Sequence, residues 1–495
     1  MKKIIIIGGG IAGLSAGIFA QKNGFESVIL EKHSILGGEC TGWDRDGYHI
    51  DGCIHWLVGT KEGTPMNDLW KTVGALDGVE IHHPDTFLSF EHEEATINIY
   101  RDIEKIRSSW TAISPQDKEL IEEFCEDLKR LDTFEVDAEK PMDLMTLQEK
   151  IKKMMSMKDA GMIMKKYGKI TLNEFGNRFK HPALKEMFST FLPEHYSAAF
   201  LFFGLATFTK DESSIPIGGS KAMALRMAER YKELGGKAIT NREVIDIAIQ
   251  KKNVKKIICK NGDNYTGDYF IAACDAHFLY QNLLKGKYTD KKYEKRFNNP
   301  QDYPLASNMY IGIAYEGEIG DQQRSVKFPV EPFKINQTPI QHLLVNHYAY
   351  EPSFAPTGHT VLTCAINQFG DDYEYWKELK RDPKSYQAEK DRIGQEVIER
   401  ITHKFPEMKG KLKLLDVASP VTYERYCNAY RGAFMGFLPT LKGKMMAHTG
   451  KIKGLKNLML TGQWLQPPGG LPNAAITGKD SIMRICQSER VPFKN

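Results

Sequence analysis

Residues 4–31 constrain the fold more than any other stretch. Ile4-Ile5-Ile6-Ile7 runs into Gly8-Gly9-Gly10-Ile11-Ala12-Gly13, and Val28-Ile29-Leu30 follows and ends in Glu31. The order reads as buried strand, glycine turn, helix, buried strand and acid, in the register of a dinucleotide-binding unit. Gly8 permits the tight turn, Gly10 lets the backbone approach a pyrophosphate, and Gly13 lets the helix sit close to the strand. Gly17 extends that bare face by a turn. The helix start offers free N–H groups and partial positive charge to phosphate oxygens. Glu31 falls where a carboxylate accepts from both ribose hydroxyls.

The whole chain bounds what this unit serves. At 495 residues the length prior is roughly two to four domains. Hydrophobic content of 41% and charged content of 26% describe an ordinary soluble globular protein, and a net charge of +4 argues neither for a nucleic-acid binder nor for an acidic partner, so no nucleic-acid partner is expected. No apolar run is long enough to span a bilayer, and the N-terminus enters a core strand without a cleavage site, so a cytoplasmic location is expected. The eight cysteines contain no C-x-x-C pair and the fourteen histidines lack ligand spacing. Free thiols and no metal site are expected.

Along the chain, helices are expected from Ser114-Pro115 to about residue 131, from Gly219 to about Gly235, at about 383–404 and at the C-terminus. Strands are expected at 244–247, 256–259, 269–274, 309–313, 343–345, 361–364 and 458–460. Dinucleotide-type segments occur at the start, middle and end. That order predicts a discontinuous nucleotide domain (1–80, 215–280 and 440–495) interrupted by a substrate domain (81–214 and 281–439).

Further segments carry a family resemblance. Gly37-Gly38 follows the second strand, then His49-Ile50-Asp51-Gly52. The terminal segment is Gly454-Leu455-Lys456-Asn457-Leu458-Met459-Leu460-Thr461-Gly462, then Pro468-Gly469-Gly470-Leu471-Pro472-Asn473-Ala474. Together they resemble the flavoproteins that include bacterial-type phytoene desaturases, carotenoid isomerases and retinol saturases, with flavin amine oxidases as distant relatives. Pro216-Ile217-Gly218-Gly219, Glu351-Pro352-Ser353-Phe354-Ala355-Pro356 and Thr422-Tyr423-Glu424-Arg425-Tyr426 are similar to family motifs between the two ends.

The resemblance implies an α/β fold: a discontinuous Rossmann-like FAD-binding domain with an inserted α+β substrate-binding domain. It assigns Gly8, Gly10, Gly13 and Glu31 to the ADP half of FAD, Gly37 and Gly38 to the pyrophosphate or ribityl chain, and Val244 to adenine. Gly462, Gly469, Gly470 and Leu471 would meet the diphosphate and flavin from a second helix N-terminus. The chain departs from many relatives at Glu39, where they carry arginine. Lys32, His33 or Arg45 could compensate. Only one full glycine fingerprint is present, so no second nicotinamide domain is expected. The electron donor or acceptor stays open among another protein, a quinone, oxygen and a visiting nicotinamide.

The implied activity is FAD-dependent oxidation, reduction or redox-neutral isomerisation at C–C or C=C bonds of an extended apolar substrate, by hydride exchange with flavin N5. His55 and Trp56 are the leading side chains on the substrate side. Glu194-His195-Tyr196 offers an acid/base pair, and Asp51 is expected to close a turn. Phe200 to Phe203, the Met145–Met164 region and Phe434-Met435-Gly436-Phe437 read as core or as cavity wall. Residues 151–169 read as a solvated helix with one core face, or as a surface that rests on a membrane. Two other functions compete. A flavin amine oxidase would need an aromatic cage, for which Trp56, Trp464 and Tyr430 are available. A non-catalytic prenyl- or lipid-binding escort protein would show degraded FAD motifs.

Overall fold

The computed structural model describes residues 1–191, 196–320 and 323–495. One layer is a five-stranded parallel sheet in the order Lys237–Ile239, Glu26–Leu30, Lys3–Ile7, Tyr269–Ala272, Leu458–Leu460. Its strands come from three distant stretches of chain. The central strand explains the unbroken isoleucine run. Ile4 and Ile6 enter the apolar cluster on one face, and Ile5 and Ile7 enter the cluster on the other. Register then sets the site. Ile7 lies opposite Leu30 and Ala272, Ala272 opposite Leu460, and Ile239 opposite Leu30. Gly8, Glu31, Ala273 and Thr461 therefore leave the sheet side by side at its carboxyl edge, where ligands of open α/β sheets bind.

Three helices cover one face. Ile11–Lys22 packs between Gly219–Glu233 and Leu471–Glu489. The contact with the last of these is close because Gly478 has no side chain: a Cβ there would lie 2.5 Å from the Ala12 carbonyl oxygen. Ser15 Oγ donates to the Ala475 carbonyl at 2.7 Å across the same contact. On the other side Tyr231 fills the space above Gly17 and donates to the Ser27 carbonyl at 2.9 Å.

The second layer is a seven-stranded sheet in the order Leu412–Ala418, Ser307–Tyr315, Thr360–Gln368, Thr338–His347, Ser325–Ile335, Thr86–Glu91, Thr96–Tyr100. Its pairs are antiparallel except Ser325–Ile335 against Thr86–Glu91, which is parallel. Helices Ile103–Ile113, Lys118–Arg130, Lys158–Tyr167, Pro182–Phe191 and Ala199–Thr209 form a separate aromatic core beside it. The α/β fold with an inserted α+β region is as expected. Phe202 belongs to that core with no exposure, and the Phe200 to Phe203 stretch does not line the cavity described below.

Two local expectations are corrected. The helix expected from Ser114-Pro115 opens as a 3-10 turn, Pro115–Asp117, and is α-helical only over Lys118–Arg130; the Ser114 hydroxyl donates to Asp117 at 2.7 Å, and Asp117 accepts from the Lys180 and His181 N–H groups. Residues 151–169 are not one helix with a core face. Lys158–Tyr167 buries Ala160, Ile163 and Tyr167, but Leu147–Ser156 buries nothing. Its Leu147, Ile151, Met154 and Met155 share one helical face, and that face is 50–74% exposed. Among the described residues, no helix is long and apolar enough to cross a membrane.

Candidate cofactor and substrate cavity

One cavity of about 690 Å³ runs from the carboxyl edge of the parallel sheet to the face of the seven-stranded sheet. Two helices begin at its first end. Gly10 is the N-cap of Ile11–Lys22 and Gly470 the N-cap of Leu471–Glu489, and neither helix start has a side-chain cap. Their leading N–H groups are left to bind an anion. Gly8 and Gly13 meet so closely that a Cβ on Gly13 would lie 2.0 Å from the Gly8 oxygen. Gly13 thus sets the helix against the strand and does not itself reach the cavity.

The other glycines form the cradle wall. Gly37 N donates to the Gly9 carbonyl at 2.9 Å, so the Gly37-Gly38 turn lies against the first glycine loop. Gly462, Gly469 and Gly470 carry φ of 117°, 101° and 90°, a left-handed region that glycine enters without strain. Thr461 Oγ1 is fully buried at the cavity wall without a hydrogen-bond partner. Uncapped helix starts, side-chain-free walls and an orphaned hydroxyl fit a phosphate-bearing flavin nucleotide.

Every cofactor residue singled out in the sequence lines this cavity except Gly13. Glu31 has a structural task that the sequence reading did not name. Its two oxygens accept from Gly9 N at 2.7 Å and His33 N at 2.8 Å, so the acid fastens the glycine loop to the second strand. Each oxygen keeps a lone pair for a ribose hydroxyl. Val244 is buried at the far wall, paired with Cys259.

Glu39 also resolves in physical terms. Burial, reinforced by the charge of Asp275, pushes its carboxyl up to about 8. At neutral pH it holds a proton, so it does not set a second negative charge against a phosphate. Gln463 Nε2 lies 3.4 Å from it. Of the three compensating side chains, only Lys32 lines the cavity. Its ammonium donates to the Arg425 carbonyl and Asn428 Oδ1 at 2.8 and 2.7 Å. Arg45 instead pairs with Asp416, and His33 packs against Tyr426.

The far half of the cavity is walled by Trp56, Phe87, Leu344, Phe434, Met435 and Leu438. Trp56 meets Phe87 ring to ring at 4.8 Å. His55 lies between the two halves. Burial first, then the charge of Arg324, pulls its imidazole down to about 4, so it is neutral at pH 7. Its Nδ1 is buried without a partner. Asp51 is not in the cavity. It accepts from the Ser220 N–H at 2.7 Å, from the Ser220 hydroxyl and from Cys53 N at 3.1 Å, closing the start of Gly219–Glu233. The Glu194-His195 pair lies outside the described residues; Tyr196 lines the cavity. The aromatic trio does not form a cage: Tyr430 stacks on His277 at 3.7 Å, and Trp464 packs into Phe297 and Phe437.

Sequence reading missed Arg324, Lys327, Asp275 and Asn346, all of which line the cavity. Asp275 accepts from Phe278 N and Tyr430 N, yet burial holds its carboxyl up at about 6. The local signal was slight: Arg324 and Lys327 flank an otherwise ordinary strand start. The eight cysteines are free, and Cys40, Cys53, Cys274 and Cys427 also line the cavity. Among the described residues no group of acids, histidines and cysteines could hold a metal ion.

The family model for flavin containing amine oxidoreductases matches residues 11–485. The chain belongs to this family and is a flavin-dependent oxidoreductase. Its relatives narrow the branch. It is 22% identical over 511 residues to a 4,4′-diaponeurosporene oxygenase of Staphylococcus aureus, covering 98% of each chain. It is 22% identical over 525 residues to a 4,4′-diapophytoene desaturase of a Methylomonas species, covering all of this chain and 97% of the relative. It is 22% identical over 482 residues to the chloroplastic prolycopene isomerase of Arabidopsis thaliana, covering 91% of this chain and 77% of the relative. A crystal structure of an oxidoreductase from Methanosarcina mazei shares the fold, with a TM-score of 0.60 at 16% identity over 97% of this chain and 100% of that one.

Proposed function

We propose that the chain is an FAD-dependent oxidoreductase, or a redox-neutral isomerase, acting on C–C or C=C bonds of an extended apolar polyene of the carotenoid or retinoid kind. The observation that carries this reading is the continuity of one cavity from two uncapped helix starts to a wall of aromatic and aliphatic side chains. A charged nucleotide suits the first half, and a long hydrocarbon suits the second, at about 25 cal/mol per Å² of apolar surface removed from water.

Gly8, Gly10, Gly37, Gly38, Gly462, Gly469, Gly470 and Leu471 would hold the diphosphate and flavin, with Gly13 setting the helix behind them. Glu31 would take the ribose. Arg242, Glu243 and Val244 extend the cavity beyond Glu31, which supports a dinucleotide rather than a mononucleotide. In this reading residues 1–80, 215–280 and 440–495 serve the cofactor, and 81–214 and 281–439 serve the substrate.

When bound, a flavin supplies two-electron chemistry at carbon. The protein's part is to desolvate and align: Trp56 and Phe87 present flat apolar surface, and His55 stays neutral. The names of the relatives, a desaturase, an oxygenase and an isomerase of carotenoid compounds, support this substrate class. The amine oxidase reading is weaker because the substrate half presents two cations, Arg324 and Lys327, to an incoming amine. The escort reading is weaker because both ends of the cradle are intact.

The test is direct. Purified protein should be yellow and release FAD on denaturation, and a polyene should bleach or perturb the flavin under anaerobic conditions. Colourless protein that takes up no FAD would favour the escort. Bleaching by an amine, with polyenes inert, would favour the amine oxidase.

The same reading gives the exposed face of Leu147–Ser156 a partner. Leu147, Ile151, Met154 and Met155 point outward, and Lys150, Lys152 and Lys158 lie beside them. Apolar insertion with flanking ammonium groups fits an anionic bilayer surface, from which an oily substrate is drawn. Co-flotation with phosphatidylglycerol vesicles, lost when the four apolar residues become glutamine, is the expected result. Flotation unaffected by those substitutions overturns it.

A further inference from the structure

The two halves of the cavity differ in charge. The cofactor half mixes acids and bases, with Glu31, Glu243 and Asp275 beside Lys32 and Arg242 and a protonated Glu39, whereas the substrate half has the cations Arg324 and Lys327 and no acid among the described lining residues. Arg324 is nine-tenths buried. Its Nη2 donates to the His55 carbonyl at 2.9 Å, but Nε and Nη1 are buried and have no partner among the described residues. No carboxylate among the described residues forms an ion pair with it. The neighbours that feel its charge are His55, His82 and Tyr350, none of them an anion at neutral pH.

Lys327 reinforces this. It donates to the Thr190 carbonyl, and the acid that acts on it, Glu186, is engaged by His342 at 2.8 Å and His92 at 3.2 Å. Asn346, opposite Ser325 in the sheet, adds a polar amide to the same wall.

A buried guanidinium without a counter-charge is costly, by several kcal/mol in the general case. Against a pure hydrocarbon that cost would be kept in the complex. A carboxylate removes it, because two oxygens match adjacent guanidinium N–H groups. We infer that the substrate is amphipathic, an extended apolar chain ending in a carboxylate, and that Arg324 is the specificity-determining residue that receives the acid end. This deepens the proposed function and rests on its placement of the substrate in this cavity.

The experiment uses the purified flavin-loaded protein under anaerobic conditions, with all-trans-retinoic acid and its methyl ester as probes and perturbation of flavin absorbance as the readout. The acid should bind tighter than the ester by about thirtyfold, the low end for a buried charge pair. Arg324→Gln should weaken the acid by a similar factor and leave the ester unchanged; Arg324→Lys should fall between. The wild-type comparison stands even if a variant folds poorly, and flavin content reports folding. Equal binding of acid and ester, or equal loss of both in Arg324→Gln, overturns this inference alone. If neither probe perturbs the flavin, the apolar-substrate reading falls and takes this inference with it.

Discussion

The two halves of the cavity, assigned to cofactor and substrate in the proposed function, are built by opposite strategies. The first is made of backbone: glycines, two helix starts and one acid that holds a loop in place. The second is made of side chains: tryptophan, phenylalanine, methionine and two buried cations. Backbone recognition leaves little room for change, because every cradle glycine except Gly10 is fixed by close approach or by a left-handed φ. Side-chain recognition can be revised one residue at a time without disturbing the sheet beneath. The relatives fit that contrast, since their names span desaturation, oxygenation and isomerisation while the alignments cover 91–100% of this chain.

The sharpest way to break the contrast is to put a side chain into the first half. Gly13→Val drives a Cβ into the Gly8 carbonyl, and a loss of at least about 3 kcal/mol is expected. Protein purified with full flavin and an unchanged melting temperature would show that the turn yields more easily than its geometry implies. A substitution in the second half should behave differently. Phe87 contacts Trp56 at 4.8 Å, Phe208 at 5.3 Å and Phe191 at 6.0 Å. Phe87→Ala is expected to keep flavin stoichiometry and to lower kcat/KM for a polyene by roughly ten- to a hundredfold, equivalent to about 1.4–2.7 kcal/mol. Loss of flavin in that variant would mean the halves are not separable.

A pH-dependent effect probes the border between them. Glu39 has a folded pKa of about 8, above the ordinary carboxylate value. Between those two values the folded chain holds a proton that the unfolded chain has released, so stability falls as pH rises through this window. Glu39→Gln removes that dependence. Its melting temperature should match wild type near pH 4 and exceed it by about 4–5 °C at pH 9, because such a shift carries about 4–5 kcal/mol, at about 1 kcal/mol per degree in a chain of this length. A variant that is no more stable at high pH would place the ionised form of Glu39 in the folded protein. The smallest effect belongs to His55, whose imidazole titrates near 4. The pH profile of kcat/KM should show no inflection near the ordinary histidine value, and His55→Asn should leave its shape unchanged between pH 6 and pH 8. An inflection lost in that variant would mark His55 as an acid or base.

The difference between the halves also decided what could be read before the fold was known. The cradle is encoded by short spacings. Gly8, Gly10 and Gly13 sit on one turn and Glu31 at the end of the next strand, so local geometry sufficed. The C-terminal helix start at Gly470 was legible for the same reason. Arg324 was not, because its surroundings depend on pairings between distant segments, such as Val326 against Ser89 and Ser325 against Asn346. An arginine before a strand is ordinarily a solvated residue, and only the assembled sheet makes it a buried one. Leu147–Ser156 failed differently: its apolar stripe has the spacing of a core face, and periodicity does not say whether the partner is the protein's own interior. Asp51 was read correctly as a turn-closing residue, although the helix it serves begins at Gly219, far along the chain.

The packing of Leu471–Glu489 on Ile11–Lys22 has a consequence for biogenesis. The second anion-binding helix start belongs to a segment that leaves the ribosome some 460 residues after the first, and its strand, Leu458–Leu460, joins the sheet at an edge. A nascent chain can fold its opening β-α-β unit early yet own only half of a nucleotide site. In the proposed reading, flavin capture therefore waits until the segment that begins at Gly470 has been made.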